Sequence, residues 1–387
     1  MRNRWGILAV LFTVRLTMGF QFQSVAAVAP LLGSEFGVGI ADIGLLIGLY
    51  FTPGVALAFP GGAIGKKFGD KVTVLGALLL MLTGGLMMAF STSWGAQIAG
   101  RLIAGTGGVL MNVQMTKMVA DWFAGKEIAT AMAVFVNSWP AGVAVSLLIL
   151  PSIGIAHGVG AVYLAVTALI GCGIVLLALG YETPPAAMAV TAAPARLDRN
   201  TIAAIVAAGL IWGCYNIGFV TIFSFGPTML VERGWSIPAA GSAISIVLWL
   251  TVLSVPAGGL LADRTGHPGI IMVAGWTVFA ALLLALSRGS AVLPLTIALG
   301  LVCGLPGGPI MSLPARVLQP ANRAIGMGLF FTVYYACMML GPVIGGACAK
   351  WAGSAAAALD FGAAMVLVCP LILWAFNRIP QPMPKAA

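Results

Sequence analysis

The stretch Gly259-Leu260-Leu261-Ala262-Asp263-Arg264-Thr265-Gly266-His267 sets a short acidic and basic turn between two long apolar runs. A degraded copy, Gly62-Ala63-Ile64-Gly65-Lys66-Lys67-Phe68-Gly69-Asp70, lies 197 residues earlier. The same offset pairs Pro30 with Pro227, Glu35 with Glu232, Gly37 with Gly234, Gly44 with Gly241, Gly62 with Gly259 and Gly69 with Gly266. The chain therefore reads as two halves of one design.

What flanks the turns fixes the class. Hydrophobic residues make up 60% of the chain and charged residues 7%, with a mean hydropathy of +1.06. A soluble domain carries charge on about a quarter of its residues, so this composition implies an integral membrane protein. Apolar stretches long enough to cross about 30 Å of hydrocarbon as helix recur along it. Twelve are expected, near 6–32, 40–64, 72–91, 94–118, 127–150, 159–180, 201–229, 239–261, 269–287, 291–313, 324–349 and 355–377. The one long polar interruption, 181–200, begins Tyr-Glu-Thr-Pro-Pro and reads as a tether between a bundle over 1–180 and another over 201–387.

The net charge of +9 could suggest nucleic acid, but its distribution argues against that. Basic residues gather in alternate loops: Arg2, Arg4, Lys66, Lys67, Lys71, Lys117, Lys126, Arg196, Arg199, Arg264, Arg316, Arg323, Arg378 and Lys385 fall on one side. Only Arg233, Arg288 and Lys350 fall on the other. By the positive-inside rule both termini are expected in the cytoplasm. The first apolar run lacks a small-residue cleavage site and reads as a retained span. The six cysteines sit within apolar runs without metal-ligand spacing, so no disulfide, metal or cofactor is implied.

The turn at 259–266, Gly-Xaa-Leu-Ala-Asp-Arg-Xaa-Gly, resembles the loop signature of the major facilitator superfamily, found there between helices 2 and 3 and again between helices 8 and 9. Arg101-Leu-Ile-Ala-Gly105-Thr-Gly107 resembles that family's fourth-helix motif, and Gly341-Pro342-Val-Ile-Gly345-Gly346 a packing motif of its eleventh helix. The resemblance implies an all-α membrane protein of twelve transmembrane helices in two pseudo-symmetric six-helix bundles. The first-half loop departs from the pattern, with Lys66 in the acidic position and Asp70 in a basic one. The family's loop latch is thereby expected to rest on Asp263 and Arg264, the alternative being that these are solvated loop charges. The run Asp121-Trp122-Phe123 with Lys126-Glu127 and Ala129 is weakly similar to cyanate permease-like and nitrate/nitrite porter-like members.

Among residues that could carry chemistry, Arg15 stands out, because it falls about 15 Å into the first span, where a charge costs at least ~2.5–3.5 kcal/mol. Its face continues through Gly19, Phe22 and Gln23, which suits an anion with hydrogen-bonding oxygens. The alternative is a structural arginine, bonded to backbone carbonyls of a neighbouring helix or snorkelling to the cytoplasm. At the constant offset, Arg15 corresponds to Trp212, whose face runs through Asn216, Phe219 and Phe223. One cation facing an aromatic wall favours a monoanion over a dianion. Arg101, about 9 Å deep, begins a stripe through Gly105, Gly108 and Asn112; the family resemblance implies a role in helix 1–helix 4 contacts and in coupling, with structural packing and substrate contact both open. Asn137 and Trp139 match Thr332 and Tyr334 of the other half and fit a central cavity, with packing as the alternative. Lys117 is expected to snorkel and His157 to be solvated.

All ten acidic residues fall at span ends or in loops, which weakens a proton-relay mechanism. No phosphate-binding loop, nucleophile-base pair or metal cluster suggests an enzyme. The resulting expectation is a monomeric inner-membrane secondary transporter for a small organic or inorganic anion, with its lipid bilayer as the other partner. Extrusion of hydrophobic drugs and a non-transporting receptor on the same fold remain the alternatives.

Overall fold

The computed structural model describes residues 3–58, 60–123, 127–183, 197–319 and 322–380. Most of the tether (184–196), together with Arg2, Lys126, Lys385 and the side chains of Lys66 and Arg323, lies outside the described residues. Among the described residues every regular element is helical: α1 (Arg4–Ala27), α2 (Ala29–Phe36), α3 (Ile40–Leu49), α4 (Thr52–Leu57), α5 (Gly61–Phe68), α6 (Asp70–Phe90), α7 (Trp94–Trp122), α8 (Ile128–Val136), α9 (Ser138–Gly180), α10 (Arg199–Glu232), α11 (Ile237–Thr265), α12 (Pro268–Arg288), α13 (Val292–Cys303), α14 (Gly307–Val317), α15 (Arg323–Ala352) and α16 (Ala356–Arg378). This is an all-α membrane protein.

Ten stretches are long and apolar enough to cross a bilayer. One of them contains α9, whose 43 residues would extend about 65 Å, twice the hydrocarbon thickness, if the helix were straight. It is not straight: Gly158 at φ 81° and ψ 174° turns the chain back, so α9 makes two passes. The remaining pass is α7, made more polar by Gln97, Arg101, Asn112, Gln114 and Lys117. Twelve passes result.

Four of the passes are broken where the sequence suggested continuous spans. The breaks fall at Val28, at Tyr50 and Phe51, at Asn137 and at Gly304 to Pro306. Each has a proline within two or three residues, Pro30, Pro53, Pro140 and Pro306, which cannot donate to the carbonyl four residues back. Turn chemistry sets the ends. Ser93 and Ser236 accept from the backbone amides of Ala96 (3.3 Å) and Ala239 (3.4 Å) as N-caps. The paired glycines of the repeat adopt paired conformations: Gly37 and Gly234 have φ of 64° and 87°, Gly69 and Gly266 of 85° and 67°. A side chain would strain all four turns.

α1 packs on α9, and α6 on both α7 and α9, while α10 packs on α15 and α16, and α12 on α13 and α16. The two sets meet chiefly where α15 lies against α3 and α4, and α11 against α9. The termini mark one end of the bundle, here the near end. The meeting points lie toward the other, far end, where a Cβ on Gly44 would overlap the Pro342 carbonyl and sit 3.1 Å from the Gly346 Cα. A Cβ on Gly48 or Gly241 would likewise overlap the Met339 or Leu147 carbonyl. Toward the near end, the main contacts of α5, α8 and α14 stay within their own sets. Among the described residues the two sets thus join mainly toward the far end and part toward the near end.

Candidate functional site

Pro140 organises the surroundings of Arg15. Lacking an N–H, it leaves the Val136 carbonyl without its helical donor, and the chain breaks at Asn137. Arg15 Nη1 donates to that carbonyl, to the Phe135 carbonyl and to the Ser138 hydroxyl, each at 3.1 Å. Its Nε and Nη2 both donate to the single Oδ1 of Asn112, at 3.1 and 3.0 Å. The guanidinium also lies 4.7 Å from the Phe135 ring centroid, a favourable placement for a cation over an aromatic face. Every acceptor is neutral. Among the described residues no carboxylate pairs with Arg15, and the four ion pairs present are Arg4–Glu127, Lys117–Asp70, Lys117–Asp121 and Arg288–Asp360, all near helix ends.

The other residues of the proposed Arg15 face go elsewhere. Gly19 is a crossing point, since a Cβ there would overlap the Trp139 carbonyl. Gln23 is fully buried and its Nε2 donates to the Phe223 carbonyl at 2.6 Å, joining α1 to α10 away from the guanidinium. Trp139 is half-buried and packs its ring between Phe22 (5.6 Å) and Phe223 (5.7 Å). With Phe51 and Phe219 these rings form an aromatic seal between the two sets of helices. Asn137 sits half-buried at the break itself.

Arg101 is wholly buried. It donates to three carbonyls, Leu46 at 3.0 Å, Gln21 at 3.1 Å and Phe22 at 2.7 Å. Its guanidinium lies 4.6 Å from the Tyr50 ring centroid and 5.4 Å from that of Phe22. The Leu46 carbonyl is open because α3 ends at Leu49 and the Tyr50 amide turns to Ile47. Arg101 therefore stitches α7 to α1 and α3.

The second set of helices contributes Trp212, Asn216 and Tyr334, all half-buried. The Trp212 and Tyr334 rings lie 6.2 Å apart, and Asn216 Nδ2 returns to the Trp212 carbonyl one turn back. The residue that reaches across is Tyr335, whose hydroxyl accepts from Asn112 Nδ2 at 3.1 Å. Matching the two halves had singled out its neighbour Tyr334 as the counterpart of Trp139, because helical faces are not resolved by counting alone. Ser138 was also missed, although its place beside Trp139-Pro140 marks a helix break.

The loop latch that the family resemblance assigns to Asp263 and Arg264 belongs to the outward-facing state. Asp263 and Arg264 are exposed, and among the described residues neither makes a side-chain hydrogen bond or ion pair. Asp70, the residue that departs from the family pattern, makes the contacts instead. It accepts from Lys117 at 2.6 Å and Gln114 at 3.2 Å, while Lys117 also donates to Asp121 at 2.9 Å. Lys117 is thus paired rather than snorkelling freely. The pair is 46% exposed at Lys117 and 13% at Asp70, and asparagine keeps an oxygen for both donors, so Asp70→Asn is expected to cost about 1 kcal/mol in stability. Thermal unfolding of the detergent-purified protein checks this, a large drop in midpoint being the contrary result.

A sequence model described as Major Facilitator Superfamily matches residues 11–236 and again 207–387. The chain is similar to a Hexuronate transporter of Bacillus subtilis (strain 168), at 21% identity over 70% of this chain and 68% of that one. It is similar also to an Uncharacterized MFS-type transporter YddS of the same organism, at 24% identity over 91% of this chain and 85% of that one.

Proposed function

Because the chain belongs to the Major Facilitator Superfamily of transporters, we propose that it carries a small monoanion, most simply an organic monocarboxylate, across the inner membrane by alternating access. The observation that supports this is the charge inventory. Arg15 is a cation midway along α1 whose acceptors are all neutral, and an anion would add the opposite charge that it lacks. Asn137 and Asn216 supply amides near the parting, Asn112 holds the guanidinium, and Trp212, Tyr334 and Trp139 shape the walls of the parting. Gln23 serves the far-end closure rather than the site. A relative whose name specifies hexuronate, itself a monocarboxylate, lends support to the organic class. In this reading the conformation is the inward-open one, parted toward the cytoplasm where the basic loops place the termini.

Uptake into proteoliposomes tests it, with a panel of glucuronate, lactate, formate, oxalate, cyanate and nitrate. Wild type is expected to take up at least one monoanion saturably, and Arg15→Gln to lose about tenfold or more, equivalent to ~1.4 kcal/mol. Size-exclusion profiles of the two proteins control for folding. Equal uptake by both would remove Arg15 from the site, and no uptake of any anion would return weight to drug export or a receptor role.

A further inference from the structure

The two edges of the Arg15 guanidinium are held in different ways. Nη1 is fixed to backbone at the Pro140 break and to Ser138. Nε and Nη2 form the edge that matches a carboxylate in side-on, two-bond geometry, and both converge on one carboxamide oxygen of Asn112. The same carboxamide uses its nitrogen to hold the Tyr335 hydroxyl of α15. Asn112 lies ten residues from the near end of α7 and Tyr335 twelve from that of α15, so at 1.5 Å per residue both stand about 15–18 Å deep, level with Arg15.

We propose that Asn112 is a displaceable stand-in for the substrate carboxylate, and that it doubles as the tie between the two halves. The deduction rests on the anion reading of Arg15. A carboxamide presents an sp² oxygen of the same reach as a carboxylate but carries no charge, so it satisfies the donors without neutralising the guanidinium. An entering carboxylate takes over both N–H groups with stronger, charge-assisted bonds. Asn112 then swings away, and its nitrogen releases Tyr335. Ligand binding at one half thereby cuts a bond to the other, giving the anion a differential effect on the two conformations, as any ligand-driven transition requires. Without anion the tie holds the far end shut and the empty carrier cycles slowly.

Hydrogen–deuterium exchange on the full chain in nanodiscs reads opening at the far end through peptides from α3 and the start of α11, which pack there against α15 and α9. In the absence of any anion, Tyr335→Phe and Asn112→Ala are each expected to raise exchange of these peptides severalfold over wild type. Glucuronate serves as the first carboxylate probe, with the uptake panel as its extension. It is expected to raise exchange in wild type, to add little in Tyr335→Phe, and to bind Asn112→Ala about tenfold more tightly, since no occupant has to leave. Unchanged exchange in both anion-free variants would overturn the tie, whatever the panel gives. Raised exchange in those variants, with no panel anion bound by wild type or by Asn112→Ala, would leave the tie standing and overturn both the stand-in role and the anion reading beneath it. Anion bound by wild type but no more tightly by Asn112→Ala would overturn the stand-in role alone. Tyr335→Phe removes one hydroxyl, so a failure of Asn112→Ala to fold still leaves the tie testable.

Discussion

Arg101→Met is expected to cost about 3–5 kcal/mol, enough to remove much of the folded protein. Methionine fills similar volume but donates nothing, so three charge-assisted bonds to Leu46, Gln21 and Phe22 disappear at once. The Leu46 carbonyl, left open where α3 ends, then has no donor in a fully buried setting. Arg101→Lys recovers the charge but cannot span three carbonyls with one ammonium, so only partial rescue is expected. Yield, size-exclusion profile and thermal midpoint in detergent give the measure. A well-folded Arg101→Met protein that had merely lost ligand affinity would show that this arginine binds substrate instead.

The second large effect leaves the fold intact and stops the cycle. Valine at Gly44 or Gly241 puts a side chain into the backbone of the opposing helix, at Pro342 or Leu147. Backbone cannot yield as a side-chain tip can, and overpacking of this kind costs about 1–3 kcal/mol per site. That cost falls on the far-end-closed conformation alone, because contacts within each set of helices are untouched. Two conformations lie only a few kcal/mol apart, so the Gly44→Val, Gly241→Val double variant is expected to sit predominantly open at the far end. Faster deuterium exchange in α3 and α11 with uptake near background, and a thermal midpoint close to wild type, would match this. Normal uptake would show that the interface tolerates separation.

The passes were legible because hydrophobic length and the placement of charge are imposed by the bilayer, and the repeat was legible because Gly37, Gly69, Gly234 and Gly266 occupy turns that exclude side chains. Proline gave partial notice of the breaks. What no spacing discloses is where a freed hydrogen-bonding group finds its partner. Arg15 drew notice as a buried charge, but its engagement with the Phe135 and Val136 carbonyls depends on α8 and α9 crossing α1 at that height. The same limit hid Tyr335 behind Tyr334. It also hid Asp70, which looked like a defect in a loop motif until α7 brought Lys117 and Gln114 to it.

The absence of any acidic residue from the interior of the passes has an electrical consequence. On the proposed reading, a carrier holding a monoanion against Arg15 is neutral at that site, whereas the empty carrier bears one positive charge there. Moving one charge through the full field is worth ~2.3 kcal/mol per 100 mV. The membrane potential, negative inside, would therefore act on the return of the empty site rather than on the loaded crossing. In the proposed orientation, with the termini in the cytoplasm, it would favour the conformation seen here. A resting cell would then keep the carrier facing inward, and depolarisation alone would change how fast an unloaded site presents itself outside.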